Sequence, residues 1–78
     1  MSTAIDMIFE NQPRLLTVPE AAEVLRVSKD MIYAMHYRPA KYGIFDPDRM
    51  FVKVSRSRLR IVTSSLKDWL VSRNGAMP

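Results

Sequence analysis

Residues 16–29, with the sequence LTVPEAAEVLRVSK, decide the fold of this chain. Thr17 is a residue type that caps helices, Pro19 suits the first turn because its missing N–H costs nothing there, and Glu20 completes a capping box with the threonine. The stretch therefore predicts a helix that starts after Thr17 and ends near residues 26–27. Its apolar residues recur at helical spacing: Ala21, Ala22, Val24 and Leu25.

A second helix is predicted after a short turn. Ser28 is another residue of the N-cap type, and residues 29–37 follow it with Ile32 and Met35 three positions apart on one helical face. Pro39 cannot continue this helix and disfavours helical geometry at the residue before it. Two helices separated by so short a turn predict a helix-turn-helix.

Two alternating segments further along the chain predict an antiparallel β-hairpin. They are residues 50–55 and 58–62, which flank a turn near Arg56 and Ser57. Because a two-stranded hairpin alone is marginal in water, we expect its apolar face to be covered by the helices. We expect this face to consist of Val52, Val54, Leu59 and Ile61.

The segments on either side of the hairpin are predicted from composition and capping. Residues 39–49 contain two prolines, a glycine and two aspartates, so they predict a loop. Ser64 or Ser65 is expected to cap a last helix, which fades near residues 74–75. Trp69 on this helix is expected to be buried as the lid over the hairpin.

The length and the order of elements together predict the fold class. A chain of 78 residues allows one domain, and a domain of this size buries only about 60% of the surface that its unfolded chain exposes. We expect residues 1–14 to form an N-terminal segment with a short helix, residues 15–74 to form the domain, and residues 75–78 to form a flexible tail. The order helix, turn, helix, hairpin, helix predicts an α+β domain of the small winged helix-turn-helix class.

The charge of the chain is concentrated in its centre. The formal net charge is +4, of which residues 1–25 carry −3, residues 26–60 carry +6 and residues 61–78 carry +1. A basic centre points to an anionic partner, and nucleic acid is the commonest one. The alternative is a basic surface that only keeps the domain in solution.

Several classes of function are not expected from the composition. The chain has no cysteine and one histidine, so we expect no disulfide, metal site or other cofactor. Asp46 and Asp48 lie in the predicted loop without a histidine or partner base nearby, so we do not expect an enzyme. The apolar runs are far shorter than a membrane span and no secretory signal is visible, so we expect a cytoplasmic protein.

Three blocks of the sequence carry a resemblance to a known family, and they are Leu16–Leu25 with Val27–Lys29 and Tyr33, then Val52–Val54 with Arg58–Ile61, then Ser65–Leu70. Together they span about residues 15–71 and resemble the excisionase branch of the winged-helix DNA-binding proteins, which is related to mercury-resistance-regulator-like domains. Two departures from the family are a segment at residues 38–50 that is longer than its usual link and a turn at residues 55–58 that lacks its common glycine.

The resemblance implies a function in DNA recombination. A member of this family is a small accessory protein of a phage or integrated element, which binds and bends double-stranded DNA beside an attachment site and directs a site-specific integrase towards excision. The resemblance also implies copies of the protein side by side on the DNA. In the N-terminal segment, Ile5, Ile8 and Phe9 form an apolar stripe that either serves such contacts or closes the core, and we favour the core.

The candidate DNA-binding residues on the second helix follow from its inward and outward faces. In helix-turn-helix proteins the second helix enters the major groove, led by its N-terminal residues. Ser28 has a capping role and also lies where helix N–H groups hold a phosphate. For Asp30 the alternative role is to cap the helix or to orient a base. For Tyr37 and His36 the alternative is to pack against the protein or to anchor the loop. The candidates are Ser28, Lys29, Asp30, Tyr33, Ala34, Tyr37 and Arg38.

The hairpin supplies the second group of candidates, which form the predicted wing. Four cations are expected on one face of the hairpin and at its tip, and no acid lies between Phe51 and Asp68. The alternative is that these charges only protect an exposed edge strand from aggregation. Charges of mixed sign would give the same protection, whereas the charges of this hairpin are all positive. We therefore expect phosphate and minor-groove contacts from Lys53, Arg56, Ser57, Arg58 and Arg60.

Two further functions remain open at this point. A small transcriptional regulator of the mercury-resistance-regulator-like type would use the same DNA contacts, and nothing in the residues separates it from an excisionase. A protein-interaction module with a basic surface belongs to another class. DNA binding weakens steeply with salt because phosphate contacts release counterions, whereas an apolar protein interface responds little.

Overall fold

The computed structural model describes residues 3–75 and shows a small α+β domain with five α-helices and a three-stranded antiparallel sheet in that range. None of these helices combines the length and the apolar character that crossing a lipid bilayer requires. The elements in chain order are α1 (Thr3–Ile8), β1 (Leu15–Thr17), α2 (Val18–Leu25), α3 (Lys29–Tyr37), a 3-10 helix (Pro39–Tyr42), α4 (Pro47–Met50), β2 (Phe51–Ser55), β3 (Arg58–Val62) and α5 (Thr63–Gly75).

Capping determines where α2 and α3 begin, as the sequence predicts. The Thr17 hydroxyl accepts a 3.2 Å hydrogen bond from the backbone N–H of Glu20, and the Glu20 carboxylate accepts a 2.9 Å bond from the N–H of Thr17. The Ser28 hydroxyl accepts a 3.2 Å bond from the N–H of Met31 and so caps α3. Between the helices, Arg26 takes the left-handed conformation that ends α2, with φ at 58°.

The sheet has one strand more than the hairpin that the sequence predicts. β1 pairs antiparallel with β3, so that the strand order is β1-β3-β2 and β3 is central. Leu16 lies opposite Ile61, and both side chains are buried. β1 leaves no visible alternation in the sequence, because it has only three residues and runs directly into the cap of α2.

The predicted apolar face of the hairpin is confirmed for β3, where Ile61 is buried and Leu59 packs against the core, but it is wrong for β2. Phe51 pairs with Ile61 and both are buried, whereas Val52 pairs with Arg60 on the opposite face. The side chains of Val52 and Val54 are 36% and 52% exposed. Because side chains alternate along a strand, a difference of one residue in register moves the whole apolar set to the other face, and only the pairing partner reveals which register is adopted.

The core lies between one face of the sheet and the helices. The largest fully buried side chains are Leu16, Ile32, Met35, Ile61 and Leu66. The predicted inward face of α3, with Ile32 and Met35, is thus confirmed, and Trp69 is buried as expected. Of the N-terminal stripe, Ile5 and Phe9 join the core, whereas Ile8 is exposed.

The segment predicted as a loop contains two short helices. Pro39 and Pro47 each stand in the first turn of one, where proline is favoured. Gly43 ends the 3-10 helix in the left-handed conformation, with φ at 72°. The segment is held against α5, since the Trp69 indole donates a 2.7 Å hydrogen bond to the Tyr42 carbonyl and the Ser65 hydroxyl donates a 2.8 Å bond to the Arg49 carbonyl. Composition alone does not reveal such long-range partners.

α5 begins at Thr63, slightly earlier than predicted from its serines. The backbone N–H of Thr63 donates to the carbonyl of Arg14, and its hydroxyl donates to the carbonyl of Pro13. The start of this helix therefore depends on the segment that leads into β1. Of the predicted tail at residues 75–78, Gly75 ends α5 and the others lie outside the described residues.

Candidate nucleic-acid interface

The outer face of α3 carries two exposed aromatic side chains one helical turn apart. Tyr33 is 43% exposed and Tyr37 is 74% exposed. Residues four apart lie on the same helical face, so both rings belong to one surface. The exposure of Tyr37 contradicts its interpretation as a packing residue, although its ring lies 5.1 Å from that of His36.

The remaining candidates on α3 lie at its two ends and on its flank. Lys29 and Asp30 are exposed in the first turn, beside the capping residue Ser28. Arg38 is exposed at the C-terminal end, where its backbone N–H donates to the Ala34 carbonyl. The side chain of Ala34 is half-buried.

A notch of about 130 Å³ lies between α3 and the tip of the β2–β3 hairpin, and it brings together candidates from both predicted groups. We call it the α3–hairpin notch. Three of its lining side chains are cations, two are phenols, and none of the eight residues that line it is acidic. The lining comprises Tyr33, His36 and Tyr37 from α3, and Lys53, Arg56, Ser57, Arg58 and Leu59 from the hairpin.

The four cations of the hairpin do not share one face, in contrast to the prediction. Lys53 pairs with Leu59, so it lies on the side of the sheet that carries Phe51 and Ile61 and that meets the helices. Arg60 lies on the other side, paired with Val52. The sequence of β3 alone does not reveal that Lys53 and Arg60 lie on opposite sides of the sheet. The side on which Lys53 lies depends on the register between β2 and β3 and on the register shift that follows Lys53.

Arg60 belongs to a different environment from the other hairpin cations. It lies beside Thr17 across the β1–β3 pair, and its guanidinium donates a 3.0 Å hydrogen bond to the Leu59 carbonyl. The pKa of Glu20 lies below its ordinary value, chiefly because of hydrogen bonding with Thr17 and to a lesser degree because the positive charge of Arg60 is close. Arg60 thus has an acidic side chain, Glu20, in its surroundings.

The cations of the notch have no acidic partner within the described residues. Over residues 3–75, the ion pair that the structure shows joins Lys67 to Asp6 at 2.8 Å, and it links α5 to α1. Lys53, Arg56 and Arg58 are exposed and form no such pair in that range. Their positive charge is therefore available to an anion from outside.

His36 lines the notch but is not among the candidates predicted from the sequence. Its ring is half-buried and meets the ring of Phe51 edge-on, with 5.1 Å between the centroids. Its Nδ1 atom is buried without a hydrogen-bond partner among the described residues. The helical spacing of Tyr33, His36 and Tyr37 was the available signal, because residues three and four apart share a face.

Two larger cavities have a different character. A groove of about 980 Å³ between α1, α2 and α5 is lined by Glu20 and Glu23 as well as Arg26, so its charge is mixed. A second cavity of about 640 Å³ lies where Phe9 and the segment before β1 meet the start of α5, and of its two cations, Arg14 and Lys67, the lysine is already paired with Asp6. Among residues 3–75, no three histidine or acidic side chains converge on a metal position. The α3–hairpin notch is therefore the best candidate for binding a polyanion.

The chain shows no significant match to a known family model, to a curated protein sequence or to a solved structure. The resemblance to excisionases accordingly rests on the sequence blocks described above.

Proposed function

We propose that this protein binds double-stranded DNA in a sequence-specific manner as a small winged helix-turn-helix domain. In this assignment α2 and α3 form the helix-turn-helix, α3 is the recognition helix and the β2–β3 hairpin is the wing. The observation that carries the proposal is the α3–hairpin notch, where exposed Tyr33 and Tyr37 meet Lys53, Arg56 and Arg58 without an acidic side chain in the lining.

The two parts of this surface have different tasks in the proposed complex. α3 enters the major groove, led by Ser28 and Lys29, and Tyr33 one turn further on reaches the edges of the bases. The wing cations Arg56 and Arg58 bind phosphates, which fix the position of the protein and carry no sequence information themselves. Burial of Ile32 and Met35 supports this orientation of α3, since the opposite helical face is already used by the core.

The proposed biological role is that of an excisionase. In this role the protein bends the DNA beside an attachment site, directs an integrase towards excision and acts in the cytoplasm, with copies side by side on adjacent repeats. The resemblance of the three sequence blocks supports the role. A transcriptional regulator with the same DNA contacts is the alternative, and an integrase gene beside the gene for this protein would favour the excisionase.

Selection from a library of random DNA duplexes tests the DNA-binding proposal. We expect a recurring sequence to be enriched, and we expect the protein to bind this duplex more tightly than a scrambled one of the same composition. Affinity for both duplexes should fall linearly with the logarithm of the salt concentration, with a slope of about −0.9 for each phosphate contacted. Failure to enrich a sequence, together with binding that does not respond to salt, would overturn the proposal.

A recombination assay tests the proposed role separately. The purified protein is added to the integrase of the neighbouring gene and to DNA that carries the two product attachment sites. We expect excision to require the protein, and we expect Tyr33→Ala to abolish the stimulation. A protein that binds its selected duplex but changes neither DNA curvature nor excision would instead support the regulator.

A further inference from the structure

We propose that the α3–hairpin notch is a binding site for a single phosphate group of the DNA backbone, with Lys53 as its principal cation. The inference rests on the proposed DNA-binding function and adds a specific ligand position to it. It also distinguishes Lys53, the cation that holds this one phosphate, from the arginines nearer the hairpin tip.

The size of the notch selects the kind of ligand. Pockets for small organic molecules begin at about 300 Å³, whereas this notch measures about 130 Å³. The notch is thus smaller than such a pocket, and the part of a nucleotide that it suits best is a single phosphate group. The rest of the nucleotide must then lie outside, as it does when a continuous strand passes over the protein.

The chemistry of the lining selects the same ligand. Lys53 supplies a positive charge and N–H donors, Arg56 and Arg58 add positive charge beside it, and the phenol of Tyr37 supplies an O–H donor. Hydrogen bonds between charged donors and phosphate oxygens are among the stronger ones in proteins. The lining contains no carboxylate that would repel an anion or neutralise the cations.

The position of Lys53 makes it the principal cation. It lies in β2 opposite Leu59, and both residues line the notch. Arg56 belongs to the turn and Arg58 is the first residue of β3, so both are nearer the tip. Lys53 lies two residues from Phe51, which is buried in the core, whereas Arg56 lies in the turn itself.

A phosphate in this site would contact α3 and the hairpin at the same time. The two elements would therefore bind one stretch of the same DNA strand, and loss of a donor from either side would weaken the contribution of the other. Substitutions on the two sides are expected to be coupled rather than additive, because they share one partner.

Inorganic phosphate tests the site without DNA. Titration at constant ionic strength, followed by amide NMR shifts, compares the wild type with Lys53→Gln and with the control Lys41→Gln, which removes an exposed cation of the 3-10 helix outside the notch. We expect shifts concentrated at Tyr33, Tyr37 and residues 53–59 in the wild type and the control, and their loss in Lys53→Gln. Shifts spread evenly over the cationic surface, or unchanged in Lys53→Gln, would overturn the proposal.

The selected duplex identifies the source of the phosphate. Duplexes in which one backbone linkage at a time is a neutral methylphosphonate are compared for affinity. We expect one linkage, or two adjacent ones, at which the wild type loses about tenfold in affinity, as for a hydrogen bond to a charged group. Lys53→Gln should be insensitive to the same linkage, whereas Lys41→Gln should behave like the wild type and Lys53→Arg should recover part of the effect.

The outcomes separate this inference from the DNA-binding proposal. If no duplex is bound, the proposed function fails, and the phosphate titration still decides whether the notch holds an anion. If the duplex is bound but no linkage is coupled to Lys53, the proposed function stands and the phosphate site in the notch is refuted. A phosphate bound in the titration but not coupled to any linkage would also refute the backbone assignment.

Discussion

The indole Nε1 of Trp69 donates a 2.7 Å hydrogen bond to the carbonyl oxygen of Tyr42. The guanidinium of Arg73 donates a 3.0 Å bond to the same oxygen and lies 5.2 Å from the centre of the indole ring. These contacts hold the connection between α3 and β2 against α5. Because that connection determines where the hairpin begins relative to α3, the Trp69–Tyr42 contact supports the geometry of the α3–hairpin notch from a distance.

Trp69→Ala is expected to unfold the domain rather than to impair DNA binding selectively. Removal of a buried tryptophan typically costs about 3–5 kcal/mol, which is a large part of the stability of a protein this small. Trp69→Phe, which retains most of the ring but loses the N–H donor, should cost less. Chemical denaturation followed by circular dichroism measures both. A Trp69→Ala variant that melts cooperatively near the wild-type midpoint would contradict the core assignment.

Tyr33→Ala is expected to weaken binding to the selected duplex more than binding to a scrambled duplex. Contacts with base edges distinguish sequences, so the loss of such a contact affects the cognate site first. Phe45→Ala is a suitable control, since Phe45 is an aromatic residue with 89% exposure that lies outside the notch. Binding isotherms on the two duplexes measure the ratio. An equal loss on both would show that Tyr33 acts on the backbone.

Arg56→Ala and Arg58→Ala are expected to weaken binding to the selected and the scrambled duplex by similar factors. Each substitution should also make the salt dependence shallower by about one unit of slope, because one phosphate contact is lost. Isotherms at several salt concentrations measure both quantities.

Arg49→Ala is the control for the two hairpin arginines, since Arg49 is exposed in α4, outside the notch. It should leave the slope closer to the wild-type value. Sequence-dependent losses from Arg56→Ala or Arg58→Ala would indicate an arginine in a narrow minor groove that recognises DNA shape. Unchanged affinity and slope would show that the wing does not contact DNA.

Glu20→Gln is expected to lower stability at neutral pH and to have less effect in acid. The capping contacts with Thr17, together with Arg60, hold the pKa of Glu20 below its ordinary value. A carboxyl group with a lowered folded-state pKa stabilises the fold above its unfolded-state pKa, and this contribution is lost as the pH falls through the folded-state value. Thermal unfolding of both proteins between about pH 7 and pH 2 measures the difference. If the difference in Tm between the wild type and Glu20→Gln widens as the pH falls, the expected pH dependence is contradicted.

The capping contacts and the inward face of α3 were predictable because they are local. Thr17 with Glu20, and Ser28 with Met31, satisfy the free N–H groups of a helix start within three residues, so the sequence carries the whole signal. The spacing of Ile32 and Met35 likewise needs no distant partner. The candidate cations and tyrosines were also visible, since their chemistry belongs to the residue types.

Tertiary structure alone decided how these parts meet. β1 forms because Leu16 has Ile61 as its partner 45 positions away. The pairing of Phe51 with Ile61 determines which side chains of β2 face the core. The same register placed Lys53 beside α3 and Arg60 on the opposite face. A strand pattern with period two fits either face equally well, and the choice between them is made by burial against distant side chains. The sequence by itself thus determined the helix starts and the chemistry of the candidates, whereas the fold determined which of them share a site.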